Sequence, residues 1–133
     1  MIVADTNLLV YLYVRGQHTE RAEQVLARDP GWAAPLLWRS EFRNTLLGLV
    51  RRAALPLDDA LQIVAEAERW MSGREYSVVS HDVLRLAARS GCSAYDCEFA
   101  ALAEDLGAPL VTTDRAVLKA FPGRAVAPEA FTL

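Results

Sequence analysis

The chain has 133 residues, the usual size of one domain, and 53% of them are apolar, which is enough for one sizeable hydrophobic core and argues against a second domain. This apolar content and the scarcity of low-complexity stretches exclude an intrinsically disordered protein. The formal net charge of −3 argues against a uniformly basic surface that wraps nucleic acid, although cations held by carboxylates can still create a local positive site.

No segment of the sequence predicts a membrane anchor or a secretion signal. The apolar run over residues 8–14 is too short to span a bilayer, and it follows Asp5 rather than a basic segment. Cys92 and Cys97 lack CxxC spacing and are expected to be reduced, structural thiols. A cytoplasmic protein without membrane contact is therefore expected.

The first half of the chain predicts two strands and three helices. In order, these are a strand over residues 2–4, a helix over 7–14, a helix over 19–28, a strand over 32–34 and a long helix over 36–53. Thr19 is expected to cap the second helix, because a threonine hydroxyl can accept a hydrogen bond from an unpaired N–H of the first turn. Pro35 is expected in the first turn of the long helix, where its missing N–H leaves no bond unmade.

The second half continues the alternation of helices and strands. In order, the pattern predicts a helix from residue 58 to about 72, a strand over 76–79, helices over 80–90 and 93–106, a strand over 110–112, a short helix over 114–121 and an edge strand over 125–127. Ser80 and Ser93 are expected to cap the helices that they begin, and Gly107 is expected to end the second of them.

Strands separated by helices predict parallel pairing through right-handed crossovers. The predicted fold class is α/β, a three-layer α/β/α sandwich with a central, mainly parallel sheet, in one domain over residues 1–133. Open parallel sheets bind ligands in the crevice at the carboxyl ends of their strands. The fold class therefore predicts where a functional site should lie.

Four acidic residues are predicted to surround that crevice. Asp5 directly follows the first strand and Asp114 follows the strand over 110–112, so both should emerge at the carboxyl edge of the sheet. Asp96 lies in the first turn of its helix, and Glu41 lies early in the long helix at the border of its apolar stripe. Both can therefore point inward at the crevice.

Each acid also has a simpler structural explanation. Asp5 and Asp114 can cap the helices that follow them, and Asp96 can belong to a capping box. Glu41 can pair with a neighbouring arginine on the helix surface. Four independent caps or surface pairs would not by chance surround one crevice, and the set is therefore interpreted as a site.

The chemistry of such a site follows from its ligand atoms. Four carboxylates close together cannot all ionise near neutral pH without compensating cations, because like charges raise each other's pKa values. An all-oxygen set without His or Cys favours Mg²⁺ or Mn²⁺ over zinc. Such ions lower the pKa of a bound water and stabilise an in-line phosphoryl displacement, so phosphodiester hydrolysis is predicted.

Polar side chains and arginines accompany the acids in the sequence. Hydroxyl and amide groups are expected to orient the carboxylates by hydrogen bonds, and arginines are candidates for binding substrate phosphates. The orienting residues are Thr6, Asn7, Asn44, Thr45, Thr112 and Thr113, and the phosphate-binding candidates are Arg39, Arg43 and Arg115. The arginines can equally be solvated residues of helix surfaces.

Four segments of the sequence carry the acids and their polar neighbours: MIVADTNLL over residues 1–9, WRSEFRN over 38–44, SAYDCEFAALAE over 93–104 and LVTTD over 110–114. In order and spacing these segments resemble the PIN-domain nucleases, and among them the VapC toxins of bacterial and archaeal toxin–antitoxin pairs. The resemblance covers essentially the whole chain and implies a PIN-like fold.

The resemblance also implies an activity and partners. Members are Mg²⁺- or Mn²⁺-dependent endoribonucleases that act on structured or messenger RNA, are usually dimeric and are held inactive by a cognate antitoxin. By position, Asp5 and Asp96 match the family's principal metal ligands, while Glu41 and Asp114 complete the acidic cluster. The family's supporting polar positions are matched by Thr6, Asn7, Asn44 and Thr112.

Three other interpretations are weighed against a toxin nuclease. One is a PIN-domain nuclease that acts outside a toxin–antitoxin pair, and another is a non-catalytic module that binds RNA or a protein. The third is an aspartate-based phosphotransferase with Asp5 as the nucleophile, which lacks its usual D-x-D motif because residue 7 is Asn.

Overall fold

The structure is a computed structural model that describes residues 1–133, and it contains five strands and eight helices. In chain order they are β1 (Ile2–Ala4), α1 (Thr6–Tyr13), α2 (Thr19–Arg28), β2 (Trp32–Pro35), α3 (Trp38–Arg51), α4 (Leu57–Met71), β3 (Glu75–Tyr76), α5 (Ser80–Ser90), α6 (Ala94–Leu106), β4 (Leu110–Val111), α7 (Arg115–Ala120), β5 (Ala125–Val126) and α8 (Pro128–Phe131). The alternation of strands and helices agrees with the sequence pattern.

The five strands form one parallel sheet with the order β3-β2-β1-β4-β5. In the register of its centre, Ile2 of β1 lies opposite Trp32 of β2, and Val3 lies opposite Leu110 of β4. The predicted α/β class with a central parallel sheet is confirmed.

The direction of the crossovers explains how helices cover both faces of this sheet. The chain moves from β1 to β2 to β3 in one direction, then returns past β1 to β4 and β5. Right-handed crossovers that run in opposite directions place their helices on opposite faces. Helices α1 to α4 therefore cover one face, where α1 contacts α2, α3 and α4, while α6 packs on β1, β2 and β4 from the other face with α5 beside it.

Burial of the central strands follows from this two-sided cover. All three residues of β1 are buried, and Leu110 and Val111 of β4 are buried as well, with no alternation between faces. A strand covered on both faces has this uniformly apolar character. These strands belong to a core of 27 buried residues that also includes Trp32 and Trp38.

Two predicted helix caps are wrong. Thr19 is the first helical residue of α2, and its hydroxyl donates to the Tyr11 carbonyl at 2.7 Å and accepts from the Gly16 N–H at 3.0 Å. The Thr19 side chain is therefore bound to the end of α1 and the loop after it. Ser80 is likewise the first residue of α5, because the turn already begins at Val79, whose carbonyl accepts from two N–H groups of that helix.

The segment around Pro35 also differs from the prediction. Pro35 is the last residue of β2 and not part of a helix, because the flanking N–H groups of Ala34 and Leu36 donate to carbonyls of the neighbouring chain segment at 3.1 and 3.0 Å. The long helix begins only at Trp38. Strand β3 is two residues long and ends at Tyr76, so the predicted strand over 76–79 is wrong for most of its length.

The carboxyl-terminal segment holds a short helix, α8, which the sequence pattern did not predict. It begins with Pro128 at its first turn and packs against α2.

Gly107 ends α6 as predicted, with the left-handed φ of 62° that glycine adopts without a Cβ clash. None of the eight helices combines the length and the apolar character needed to cross a membrane.

Candidate active site

A pocket lies where the strand order reverses, between the carboxyl ends of β1 and β4, and has a volume of about 140 Å³. All four acids singled out in the sequence line this pocket. The wall consists of Asp5, Thr6, Asn7, Glu41, Thr45, Asp96, Phe99, Leu110, Thr112, Asp114 and Val117. Reversal points of parallel sheets are the usual ligand sites of such folds.

Asp5 is held at the end of β1 by three hydrogen bonds. Its Oδ1 accepts from the Leu8 N–H at 2.8 Å, and its Oδ2 accepts from the Thr112 hydroxyl at 2.7 Å and the Thr113 N–H at 3.1 Å. The first bond caps α1, and the other two join β1 to the end of β4. The carboxylate is thereby fixed in one orientation at the bottom of the crevice.

Thr112 connects Asp5 to Asp114. Its hydroxyl donates to Asp5 and accepts from the Asp114 N–H at 3.1 Å, and its side chain is buried. Asp114 in turn caps α7, since its Oδ1 accepts from the Val117 N–H at 3.0 Å. The Oδ2 atom of Asp114 has no hydrogen bond within the chain.

Glu41 reaches the pocket from the first turn of α3. The hydroxyl of buried Thr6 donates to its Oε1 at 2.7 Å, so one oxygen is fixed and Oε2 makes no hydrogen bond within the chain. No arginine pairs with Glu41. The alternative explanation of Glu41 as half of a surface ion pair is therefore wrong.

Asp96 reaches the pocket from the first turn of α6. Ser93 caps this helix by accepting from the Asp96 N–H at 3.0 Å, as predicted. The reciprocal bond of a capping box, from the Ser93 N–H to the Asp96 carboxylate, is absent. For Asp5 and Asp114, by contrast, capping and pocket lining are both true, since one oxygen of each carboxylate caps a helix and both residues line the pocket.

The electrostatics of the pocket are those of uncompensated negative charge. Burial raises the pKa of Asp5, the bonds from Thr112, Leu8 and Thr113 oppose the rise, and the charge of Asp114 adds to it. Burial is also the largest cause of the raised pKa values of Glu41 and Asp96, to which other acids add in both cases. No basic group contributes to any of these shifts.

The arginines proposed to bind phosphates lie outside the pocket wall. The Arg39 guanidinium donates to both carboxylate oxygens of Glu75, at 2.6 and 2.8 Å, and Arg43 lies 3.7 Å from Glu68. Arg115 is exposed at the start of α7 and has no ion-pair partner in the structure. Of the three, Arg115 is nearest in sequence to a pocket residue.

Most, but not all, of the polar residues predicted to orient the carboxylates lie at the pocket. Thr6, Asn7, Thr45 and Thr112 line the pocket, and Thr113 contributes its backbone N–H to Asp5. Asn44 is exposed and does not line the pocket, since the turn of α3 that follows Glu41 presents Thr45, four residues later, to the same side. Of the two residues of this helix predicted to orient the carboxylates, Thr45 lines the pocket and Asn44 does not.

Sequence reasoning missed the influence of Glu98 and the apolar part of the wall. The charge of Glu98 adds to the raised pKa of Glu41, and burial raises the pKa of Glu98 itself. Phe99 and Val117 line the pocket from α6 and α7. The spacing of three residues from Asp96 to Phe99, and from Asp114 to Val117, was the available signal, because side chains three apart share a helix face.

The donor chemistry of the pocket fits a hydrated hard cation, although the side chains do not form a closed cage. Four carboxylates and no His or Cys line it, which suits Mg²⁺ or Mn²⁺. As placed, no three acidic, histidine or cysteine side chains could hold one ion together. Mg²⁺ commonly binds one or two carboxylates and keeps several waters. The pocket volume of about 140 Å³ is several times the roughly 30 Å³ that one water occupies, so the pocket has room for such an ion with its waters.

Comparison with known proteins gives a consistent result. The family model described as PIN domain matches residues 2–122. Ribonuclease VapC3 of Pyrobaculum aerophilum is 30% identical over 124 residues, which cover 91% of this chain and 95% of that protein.

Two solved structures share the fold at lower identity. The crystal structure of PAE2754 from Pyrobaculum aerophilum has a TM-score of 0.77 at 23% identity and covers 98% of this chain and 92% of that chain. A toxin–antitoxin complex from Klebsiella pneumoniae has a TM-score of 0.69 at 19% identity and covers 96% of this chain and 98% of that one.

Proposed function

The chain belongs to the PIN-domain family, and on that premise we propose that it is a metal-dependent endoribonuclease and the toxin of a toxin–antitoxin pair. The observation that carries the proposal is the convergence of four carboxylates on one pocket at the reversal point of the sheet, with no basic side chain in its wall. Similarity to a protein named as a ribonuclease supports RNA as the substrate.

Asp5, Glu41, Asp96 and Asp114 are the proposed metal ligands, with Mg²⁺ or Mn²⁺ as the ion. When bound, the ion supplies a lowered pKa for water and stabilisation of the charge that develops on the phosphate. Asp5 and Asp96 are the principal ligands in this proposal. Unpaired oxygens are available on Glu41 and Asp114, whose other oxygens are held by Thr6 and by the α7 backbone.

The chain's own groups position the reaction. Thr112 and the Thr113 N–H fix Asp5, and the Thr6 hydroxyl fixes Glu41 through Oε1, which leaves Oε2 without a hydrogen bond. In this geometry the free Oε2 of Glu41 is the atom proposed to complete the shell of the metal or to orient the attacking water. The apolar side chains of Phe99, Leu110 and Val117 form one part of the pocket wall and exclude water from that side of the pocket.

An antitoxin is the proposed protein partner, supported by the fold likeness to a toxin–antitoxin complex. Leu57 and Leu61 lie one turn apart on α4 and are 57% and 61% exposed, and exposed apolar residues in proximity are typical of a protein-binding surface. A homodimer, a single PIN domain over residues 1–133 and a cytoplasmic location with access to RNA complete the proposal.

The test is cleavage of labelled single-stranded RNA by antitoxin-free protein in the presence of Mg²⁺ or Mn²⁺. We expect cleavage that EDTA abolishes and that Asp5→Asn lowers by about 100-fold or more, because a metal ligand contributes several kcal/mol to the transition state. Cleavage that persists with EDTA and in Asp5→Asn would contradict the mechanism.

The same experiment separates the remaining candidates. RNA binding without cleavage or metal binding would favour a non-catalytic module. The candidate antitoxin, encoded by the adjacent gene, is then co-expressed with this chain. If it does not inhibit cleavage, the result would favour a nuclease that acts outside a toxin–antitoxin pair.

A further inference from the structure

A second, open groove adjoins the acidic pocket. It lies between the α5–α6 loop and α7, its lining includes Ser90, Cys92, Ser93, Asp96, Ala116 and Lys119, and we call it the α7 groove. Asp96 lines both the groove and the acidic pocket. The acidic pocket and the α7 groove therefore meet at Asp96.

Lys119 gives the α7 groove a positive charge. It is the single lysine among 133 residues, it is exposed in the last turn of α7, and no acidic side chain lies within 4.0 Å of it. Arg115, four residues earlier on the same helix, is also without an acidic partner. Arg39 and Arg43, by contrast, are bound to glutamates away from the pocket.

The charge of Lys119 is not used by the acids of the pocket. The raised pKa of Asp96 has burial as its largest cause, followed by the charge of Asp114, and Lys119 is not among the causes. Its ammonium group is therefore available to an anion in the groove.

The loop side of the α7 groove supplies hydroxyl groups in a fixed arrangement. Ser93 Oγ accepts from the Asp96 N–H at 3.0 Å, and Ser90 Oγ accepts from the Cys92 N–H at 3.1 Å. Because the Ser93 hydroxyl makes no other hydrogen bond, its own proton is available to an acceptor such as a phosphate oxygen. The Cys92 thiol lies 4.0 Å from the Ala116 carbonyl, so this side of the loop faces α7.

We propose that the α7 groove binds the backbone of the RNA substrate beside the scissile phosphate, with Lys119 on a neighbouring phosphate and Ser93 as a hydrogen-bond donor to it. This inference rests on the proposed function. Lys119 lies five residues after Asp114, roughly 7 Å along the axis of α7, so the phosphate that it contacts is close to the one at the acids. The chain has a net charge of −3, and the acids of the pocket would repel a polyanion such as RNA. A phosphate contact at Lys119 offsets part of this repulsion close to the acids.

The experiment compares Lys119→Ala with Lys119→Arg and with Arg51→Ala. Arg51 is an exposed, unpaired residue in the last turn of α3, ten residues beyond Glu41, so its removal changes the net charge equally but far from the groove. We expect Lys119→Ala to raise KM for single-stranded RNA by roughly three- to tenfold with kcat within about twofold, and the other two variants to match the wild type.

A binding measurement makes the result independent of catalysis. In protein that carries Asp5→Asn, adding Lys119→Ala should weaken RNA binding by the same factor and reduce the slope of log K against log salt by about 0.7, the value for one phosphate contact in single strands. An unchanged slope, or an equal loss from Arg51→Ala, would overturn the groove proposal. If the wild type binds RNA with the Lys119 effect but does not cleave it, the nuclease proposal fails and the groove proposal stands.

Discussion

Acidic side chains of this protein occur in two contrasting environments. In the first, Glu75 at the edge of the sheet accepts two bonds from Arg39 and one from the Trp38 ring N–H at 2.7 Å. The Arg39 bonds are the largest cause of the lowered pKa of Glu75, which burial opposes in part. In the second, the pocket acids are surrounded by hydroxyls, N–H groups and other acids, and the pKa values of Asp5 and Glu41 are raised.

The difference between the two environments shows how this fold distributes its positive charge. Arg39 lies only two positions before Glu41 on α3, yet its guanidinium turns to Glu75 and not to the pocket. The fold thus neutralises the acid that links α3 to β3, where the charge supports structure. It leaves the pocket acids without compensation, as a site for an external cation requires.

Among the variants that distinguish the two environments, Glu41→Gln is expected to have the largest effect, which is on RNA cleavage. This change keeps the size of the side chain and an oxygen for the Thr6 hydroxyl, but removes one negative charge and a metal ligand. We expect RNA cleavage to fall about 100-fold, since second-sphere losses alone reach tenfold or more and a ligand contributes more. The midpoint of thermal unfolding, measured without metal, should stay equal to the wild type or rise, because a partly buried charge without a partner is removed.

Glu75→Gln is the matched change in the other environment, with the opposite expected outcome. Glu75 is 11% exposed and Arg39 is 33% exposed, so their pair is stronger than a surface salt bridge and weaker than a fully buried one. We expect the free energy of unfolding to fall by about 2 kcal/mol in urea denaturation. Cleavage per folded molecule should remain near the wild-type value, and a 100-fold loss would contradict the division between the two environments.

The stability difference between the wild type and Glu75→Gln should also depend on pH. Because the pKa of Glu75 in the folded protein lies below its ordinary value of 4.5, its contribution is fully present above that value and is lost as pH falls through the folded pKa. Urea denaturation should therefore give a constant difference near neutral pH and a shrinking one below about pH 4.5. A difference that persists in acid would indicate lost packing rather than a lost ion pair.

The acidic pocket could be predicted from the sequence because its signals are local and the sheet brings them together. Asp5 and Asp114 directly follow strands, and parallel strands end at one edge, so their meeting follows from the fold class alone. The Glu75 pair could not be predicted, because Arg39 and Glu75 are 36 residues apart and Arg39, like Arg43, had an acid much nearer in sequence, Glu41. Only the tertiary structure, which brings Arg39 at the start of α3 beside Glu75 of β3, decides that choice.

The remaining errors have similar causes. Asn44 and Thr45 both lie about one turn beyond Glu41, so sequence spacing alone does not decide which of them faces the pocket. The rotation of α3 about its axis, which core packing sets, places Thr45 and not Asn44 in the pocket wall. Pro35 has the local features of a helix start, but the hydrogen bonds of its neighbours to the segment that includes β3 keep it extended. Local propensity gave way to a tertiary contact in each of these positions.

The smallest expected effect is on stability in the presence of metal, and it tests the comparison directly. A ligand that binds only the folded state stabilises it by about 1.4 kcal/mol at ten times its Kd, which raises the melting temperature of a chain of this length by about 5 °C. We expect Mn²⁺ or Mg²⁺ to produce such a shift in the wild type and in Glu75→Gln alike, because the Glu75 pair is already neutralised by Arg39. In Glu41→Gln the shift should be markedly smaller at the same metal concentration, since one pocket ligand is gone. An equal shift in all three proteins would place the ion outside the pocket, and no shift in the wild type would mean that the uncompensated acids have a purpose other than metal binding.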